Sequence, residues 1–190
     1  MIKLTRNTGF FLALMFVTSS FLSSCKDNQS EKKENVLSET SSNFSPKDIE
    51  LVVYLYQFSN FDSKALQIWT EKSEDENLKS YAEEQLKITN KNKAQIEAIA
   101  ADNGIKLPTE PFPEYERELY KYSTGGRGEY DKVFMQNYLT VCENFNDSVN
   151  KIILNQPSEE IKQLSQKSFS DISTRILEMI EMNRDWMENE

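Results

Sequence analysis

Apolar residues recur along this chain at helical rather than strand spacing. Ile49, Val52, Val53, Tyr56, Phe61, Ala65, Ile68 and Trp69 form a first stripe, loosened between Tyr56 and Phe61 enough to admit a bend. A second stripe, over about residues 75–102, is Leu78, Tyr81, Ala82, Gln85, Thr89, Ile96, Ile99 and Ala100. A third, over about 129–155, is Tyr130, Phe134, Tyr138, Val141, Phe145, Val149 and Ile152. The fourth follows Pro157 and carries Ile161, Leu164, Ser168, Ile172, Ile176, Met179, Asn183 and Trp186.

The punctuation agrees with the stripes. Ser45-Pro46-Lys47-Asp48 is a helix start, with a capping serine, a proline at the first helical position and an acid at the positive end. Asn103-Gly104 stops the second helix, and Pro108 follows. Pro108, Pro111 and Pro113 keep the next stretch irregular, after which Glu114 to Tyr122 suits a short helix. Gly125-Gly126-Arg127-Gly128 reads as a turn. It lacks the Lys-Ser/Thr ending and preceding strand of a phosphate-binding loop. Pro157-Ser158-Glu159-Glu160 breaks the chain once more. No alternating strand intervenes. The pattern predicts an all-α fold: an antiparallel four-helix bundle over residues 46–190, in which a long second-to-third connection contains a short helix.

The first residues lie outside this scheme. Lys3 and Arg6 precede an uncharged apolar run from Gly9 to Leu22, shorter than the roughly 20 residues of a membrane-spanning helix. The run has the length of a signal-peptide core and ends in Leu22-Ser23-Ser24-Cys25. These residues resemble a bacterial lipoprotein signal peptide and lipobox. The resemblance implies cleavage after residue 24 and lipidation, palmitate included, at Cys25. Residues 25–45 hold few apolar side chains and are expected to form a flexible tether, its typical span roughly 25 Å. Its early charges also resemble the surface-export signals of some Gram-negative lipoproteins; a solvated tether is the preferred explanation of them.

Charge narrows the partners. Residues 1–24 hold two basic and no acidic side chains, so the remainder carries 20 basic against 31 acidic, a net −11. An acidic protein of this kind is a poor match for nucleic acid and is repelled by anionic headgroups. Membrane contact is therefore expected through the lipid alone, with an envelope protein as the candidate partner. The chain contains no histidine, which removes histidine metal sites, the Ser-His-Asp triad and the Cys-His dyad together. With Cys25 lipidated, Cys142 has no cysteine left to pair with.

Three stretches then resemble the domain of unknown function 4142 family of bacterial proteins, often described as outer-membrane proteins. They are Asn77–Lys87 running on to Ala100–Pro108, Tyr130–Leu139, and Ile161–Trp186, within about residues 48–187. The resemblance implies a ferritin-like four-helix bundle in the cell envelope. It also implies an interior site built from one histidine on each of the second, third and fourth long helices, with an acid on the first. Here Thr89, Cys142 and Arg175 stand at the histidine positions and Asp62 near the acidic one.

Asp62, Thr89, Cys142 and Arg175 are thus expected to converge as a degenerate interior site, without cofactor or metal. A buried arginine needs a carboxylate, and Asp62 is the expected partner of Arg175. With no histidine to activate it, Cys142 is expected to be a structural thiol. Glu114, Glu116 and Glu118, and likewise Glu178, Glu181 and Asp185, are expected to be solvated faces. Trp69 and Trp186 are expected in the core. The functional expectation is a non-enzymatic, lipid-anchored envelope protein of binding or structural role, face of the membrane undecided. The alternative is a ferritin-like metal-binding or oxidative-stress protein using carboxylates and Cys142.

Overall fold

The structure is a computed structural model that describes residues 44–126, 130–155 and 157–188, with side chains up to Arg184. The expected signal peptide, Cys25 and most of the tether lie outside the described residues. So do Arg127 and Gly128 of the expected turn and the side chains of Asp185 and Trp186.

Among the described residues five helices follow in order: α1 (Pro46–Lys72), α2 (Glu76–Asp102), α3 (Pro113–Thr124), α4 (Tyr130–Ile153) and α5 (Glu159–Glu188). No strand occurs among the described residues. Local chemistry sets the ends. The Asp48 amide donates to Ser45 Oγ and the Ser45 amide donates back to the Asp48 carboxylate, a reciprocal capping box ahead of α1. Asp75 caps α2 by accepting from the amides of Asn77 and Leu78. At the far end of α2, Gly104 takes the left-handed conformation with φ of 64°, which a side chain would strain. That residue lets the amides of Gly104 and Ile105 turn back onto the carbonyls of Ala101 and Ala100.

Contacts between side chains give the direction of each helix. Trp69 meets Tyr81 while Asp62 meets Thr89, so α1 and α2 are antiparallel. Trp69 meets Asp131, Asp62 meets Tyr138 and Phe58 meets Phe145, so α4 is also antiparallel to α1. Tyr81 meets Glu178 and Asn92 meets Asp171, so α5 is antiparallel to α2. Neighbours around the bundle are antiparallel, while α2 and α4 point the same way. The chain must therefore travel back along the bundle between them, the single long crossover of ferritin-like folds. Helix α3 carries it: Phe112 lies by Tyr54 at one end, and Ser123 accepts a hydrogen bond from Lys72 at the other.

The expected elements are present, and α1 corrects two details. It has no break at Tyr56–Phe61; residues Gln57 to Asp62 are all buried and helical. Its buried face is centred on Leu51, Leu55, Phe58, Ala65, Leu66 and Trp69, with Ile49, Val53, Tyr56 and Ile68 only partly covered. The segment is apolar nearly all round, so spacing alone could not choose its inner face. Helix α3 covers a side that a plain four-helix bundle would leave open, through Phe61 stacked on Tyr115 and Tyr122 against Phe134. Trp69 is fully buried against Phe134, and its indole N–H donates to Asp131 at 2.8 Å.

Candidate functional site

Midway along the bundle each of the four long helices contributes a polar side chain to one interior layer. Arg175 of α5 and Asp62 of α1 are 1% and 2% exposed. Arg175 Nη1 donates to both Asp62 oxygens at 2.8 Å. Nη1 also lies 2.6 Å from the Tyr138 hydroxyl of α4. From α2, Gln85 Oε1 accepts from Arg175 Nε at 3.0 Å and Thr89 Oγ1 accepts from Nη2 at 3.0 Å. The Thr89 and Tyr138 hydroxyls then donate to Asp62, one to each oxygen. Every hydroxyl in the layer both accepts from the guanidinium and donates to the carboxylate, which is how a buried charge pair satisfies its lone pairs.

The electrostatics follow. Burial disfavours charge on Arg175, but Asp62, Tyr138 and their hydrogen bonds outweigh it and hold the guanidinium protonated, its pKa well above normal. Burial pushes the Tyr138 phenol far up, and the Asp62 charge adds to that. Cys142, one turn beyond Tyr138 on α4, is fully buried. Burial and then Asp62 push its thiol well above the usual range. In its un-ionised form a thiol is a poor nucleophile.

All four residues marked in the sequence therefore meet in one neighbourhood. Gln85 and Tyr138 were placed by sequence on apolar stripes but not in the site. Their signal was helical spacing, since Gln85 precedes Thr89 by one turn and Tyr138 precedes Cys142 by one turn. Glu178 corrects its expected solvated position: it is partly buried and accepts from Tyr81 Oη at 3.0 Å and Gln85 Nε2 at 3.3 Å. Glu114, Glu116 and Glu181 are exposed; Glu118 is partly covered and pairs with Lys121.

A metal centre of the ferritin-like kind would lie in this layer, on side chains of facing helices. The residues do not fit one. A guanidinium stands at the centre, and the carboxylate oxygens that would bind a cation already accept from Arg175, Thr89 and Tyr138. Beside Arg175 a cavity of about 20 Å³, lined by Ser59, Asn92, Ser168 and Asp171 among others, has room for about one water. A larger recess of about 490 Å³ at Glu71, Lys72 and Gly125 is lined by no residue of this layer. No helix among the described residues is long and apolar enough to cross a membrane.

The family model for a domain of unknown function, DUF4142, matches residues 35–181. A crystal structure of a DUF305 fragment from Deinococcus radiodurans is similar in fold, with a TM-score of 0.62 at 16% identity; the alignment covers 75% of this chain and 98% of that one. No curated protein matches the sequence.

Proposed function

We propose that this chain, which belongs to the DUF4142 family, is a lipid-anchored helical bundle of the cell envelope with a binding or structural role and no catalysis of its own. The observation that carries the reading is the filled interior layer: Arg175 and Asp62 neutralise each other and share the hydroxyls of Thr89 and Tyr138. Such a layer offers neither an open coordination position nor an ionised nucleophile. What is left to the protein is its surface and its position in the cell.

Anchoring is supported by the basic start, the apolar run and the Leu22-Ser23-Ser24-Cys25 sequence. Several acyl chains on one residue make a lasting anchor. The tether of residues 26–45 lets the domain stand off the lipid, at the outer membrane in this reading, where it meets an envelope protein partner. In cells, a palmitate label should enter the wild-type chain and not Cys25→Ser, and Cys25→Ser should leave the membrane fraction. Crosslinking should return one reproducible envelope protein. Membrane retention of Cys25→Ser would contradict the anchor, and the absence of any reproducible partner would contradict the binding role.

The single long crossover favours a second reading, a ferritin-like metal-binding or oxidative-stress protein using carboxylates and Cys142. It requires Asp62 to leave Arg175, exposing a buried unpaired charge. Stoichiometric metal in the purified protein would support it over the first.

A further inference from the structure

The guanidinium of Arg175 is surrounded as a ligand is surrounded by a receptor. Five acceptor atoms on three other helices face its three nitrogens: Gln85 Oε1, Thr89 Oγ1, Tyr138 Oη and both oxygens of Asp62, at 2.6–3.0 Å. The acceptors spread along the edge of a planar fork. Both Asp62 oxygens and Tyr138 Oη share Nη1 at 2.6–2.8 Å, while Gln85 Oε1 and Thr89 Oγ1 sit on Nε and Nη2, so the five follow the shape of the fork rather than meeting at one point at the roughly 2.0–2.6 Å of a metal ion. The hydroxyl protons of Thr89 and Tyr138 point at Asp62, which leaves their lone pairs toward the guanidinium.

We propose that this layer is a guanidinium-binding site whose ligand is supplied by the chain itself, so that Arg175 holds the four helices together as a tethered planar cation. The proposal deepens the reading of a closed, non-catalytic interior, and it stands or falls independently of the lipid anchor and of any partner. Removing the arginine side chain leaves Asp62 as a buried carboxylate facing an emptied, fork-shaped space. A free guanidinium ion carries the same donors in the same plane. The small cavity beside Arg175 extends that space toward Asn92 and Asp171, which are hydrogen-bonded to each other and to the exposed Lys167.

The test is chemical rescue in thermal unfolding of the full chain. Millimolar guanidinium chloride, far below its denaturing range, should raise the midpoint of Arg175→Ala by several degrees, because it binds the folded state alone. An equal concentration of sodium chloride or a divalent metal salt should not. Wild type, its site already filled, should show no rise, and Asp62→Asn/Arg175→Ala should lose the response. If Arg175→Ala does not fold unaided, helical circular dichroism recovered on refolding with guanidinium but not with sodium chloride supports the site. Absence of a guanidinium-specific effect in both formats overturns the proposal. So does an equal effect in the double variant or in wild type.

Discussion

Arg175 and Asp62 lie 113 residues apart in the chain and 2.8 Å apart in the core, each almost wholly shielded from water. The pair links α5 to its diagonal partner α1, and the hydroxyls of Thr89 and Tyr138 tie it to α2 and α4. A buried ion pair is weak evidence for net stability, because desolvation offsets most of the attraction. Breaking it from one side is a different matter.

Asp62→Ala strands the guanidinium and should destabilise the domain by roughly 3–5 kcal/mol. Replacing both partners with apolar residues of similar volume, Asp62→Leu with Arg175→Met, should cost less than the two single changes summed, although it still leaves Gln85 and the Thr89 and Tyr138 hydroxyls without their charged partners. Denaturant unfolding of the singles and the double measures the coupling. A loss below about 1 kcal/mol in Asp62→Ala would mean that the two do not pair in the core.

Acid should loosen the joint between the first and last helices. The Asp48 carboxylate accepts from the amide of Ser158 at 2.9 Å and from the amide and hydroxyl of Ser45. Burial works against its charge, but these donors win and hold its pKa below the usual 3.8. A folded pKa below the unfolded one means that the stabilisation is complete above 3.8 and is lost as pH falls through the lower, folded value. Asp48→Asn should therefore be less stable than wild type near neutrality, by about 1 kcal/mol, with the gap closing below about pH 4. Urea midpoints across that range measure it.

Alkali should destabilise the fold as well, through other groups. Burial pushes up the acid constants of Cys142 and of Tyr81, Tyr115, Tyr122, Tyr130 and Tyr138. The unfolded chain loses these protons from 9.0 for the thiol and 10.0 for the phenols, while the folded chain keeps them. Stability is then unaffected by these groups below about pH 9 and falls above it, by roughly 1.4 kcal/mol per pH unit for each group ionised only in the unfolded chain. A melting midpoint unchanged between pH 9 and pH 11 would contradict the burial of this set.

Cys142 should not react with a thiol reagent under native conditions and should react fully once the chain is unfolded. Its thiol is shielded from solvent and its ionisation is suppressed by burial. Rapid native labelling would show that the core opens around α4.

Helix ends were legible in the sequence because they depend on local chemistry: Ser45 with Asp48, Asp75, and Asn103 with Gly104 act within one turn of the chain. The layer was legible in part. The family resemblance marks Asp62, Thr89, Cys142 and Arg175, as the residues standing at its acidic and histidine positions, and Asp62 is paired with Arg175 because a buried arginine needs a carboxylate. Gln85 and Tyr138 were not read as partners, since each fits an apolar stripe as filler and only the facing helix turns its polar atom into a contact. The inner face of α1 was not legible for a related reason. Residues Leu51 to Phe58 are almost all apolar, so their spacing does not by itself choose which of them are covered.

The central claim is that the bundle's interior is closed by its own guanidinium, and metal content tests it most directly. The domain of residues 26–190 would be incubated with iron, copper, zinc and manganese, desalted and weighed by mass spectrometry against its metal. The account predicts no stoichiometric retention, because a bound cation would have to displace Arg175 from Asp62. Near-stoichiometric retention that is lost in Asp62→Asn would contradict it.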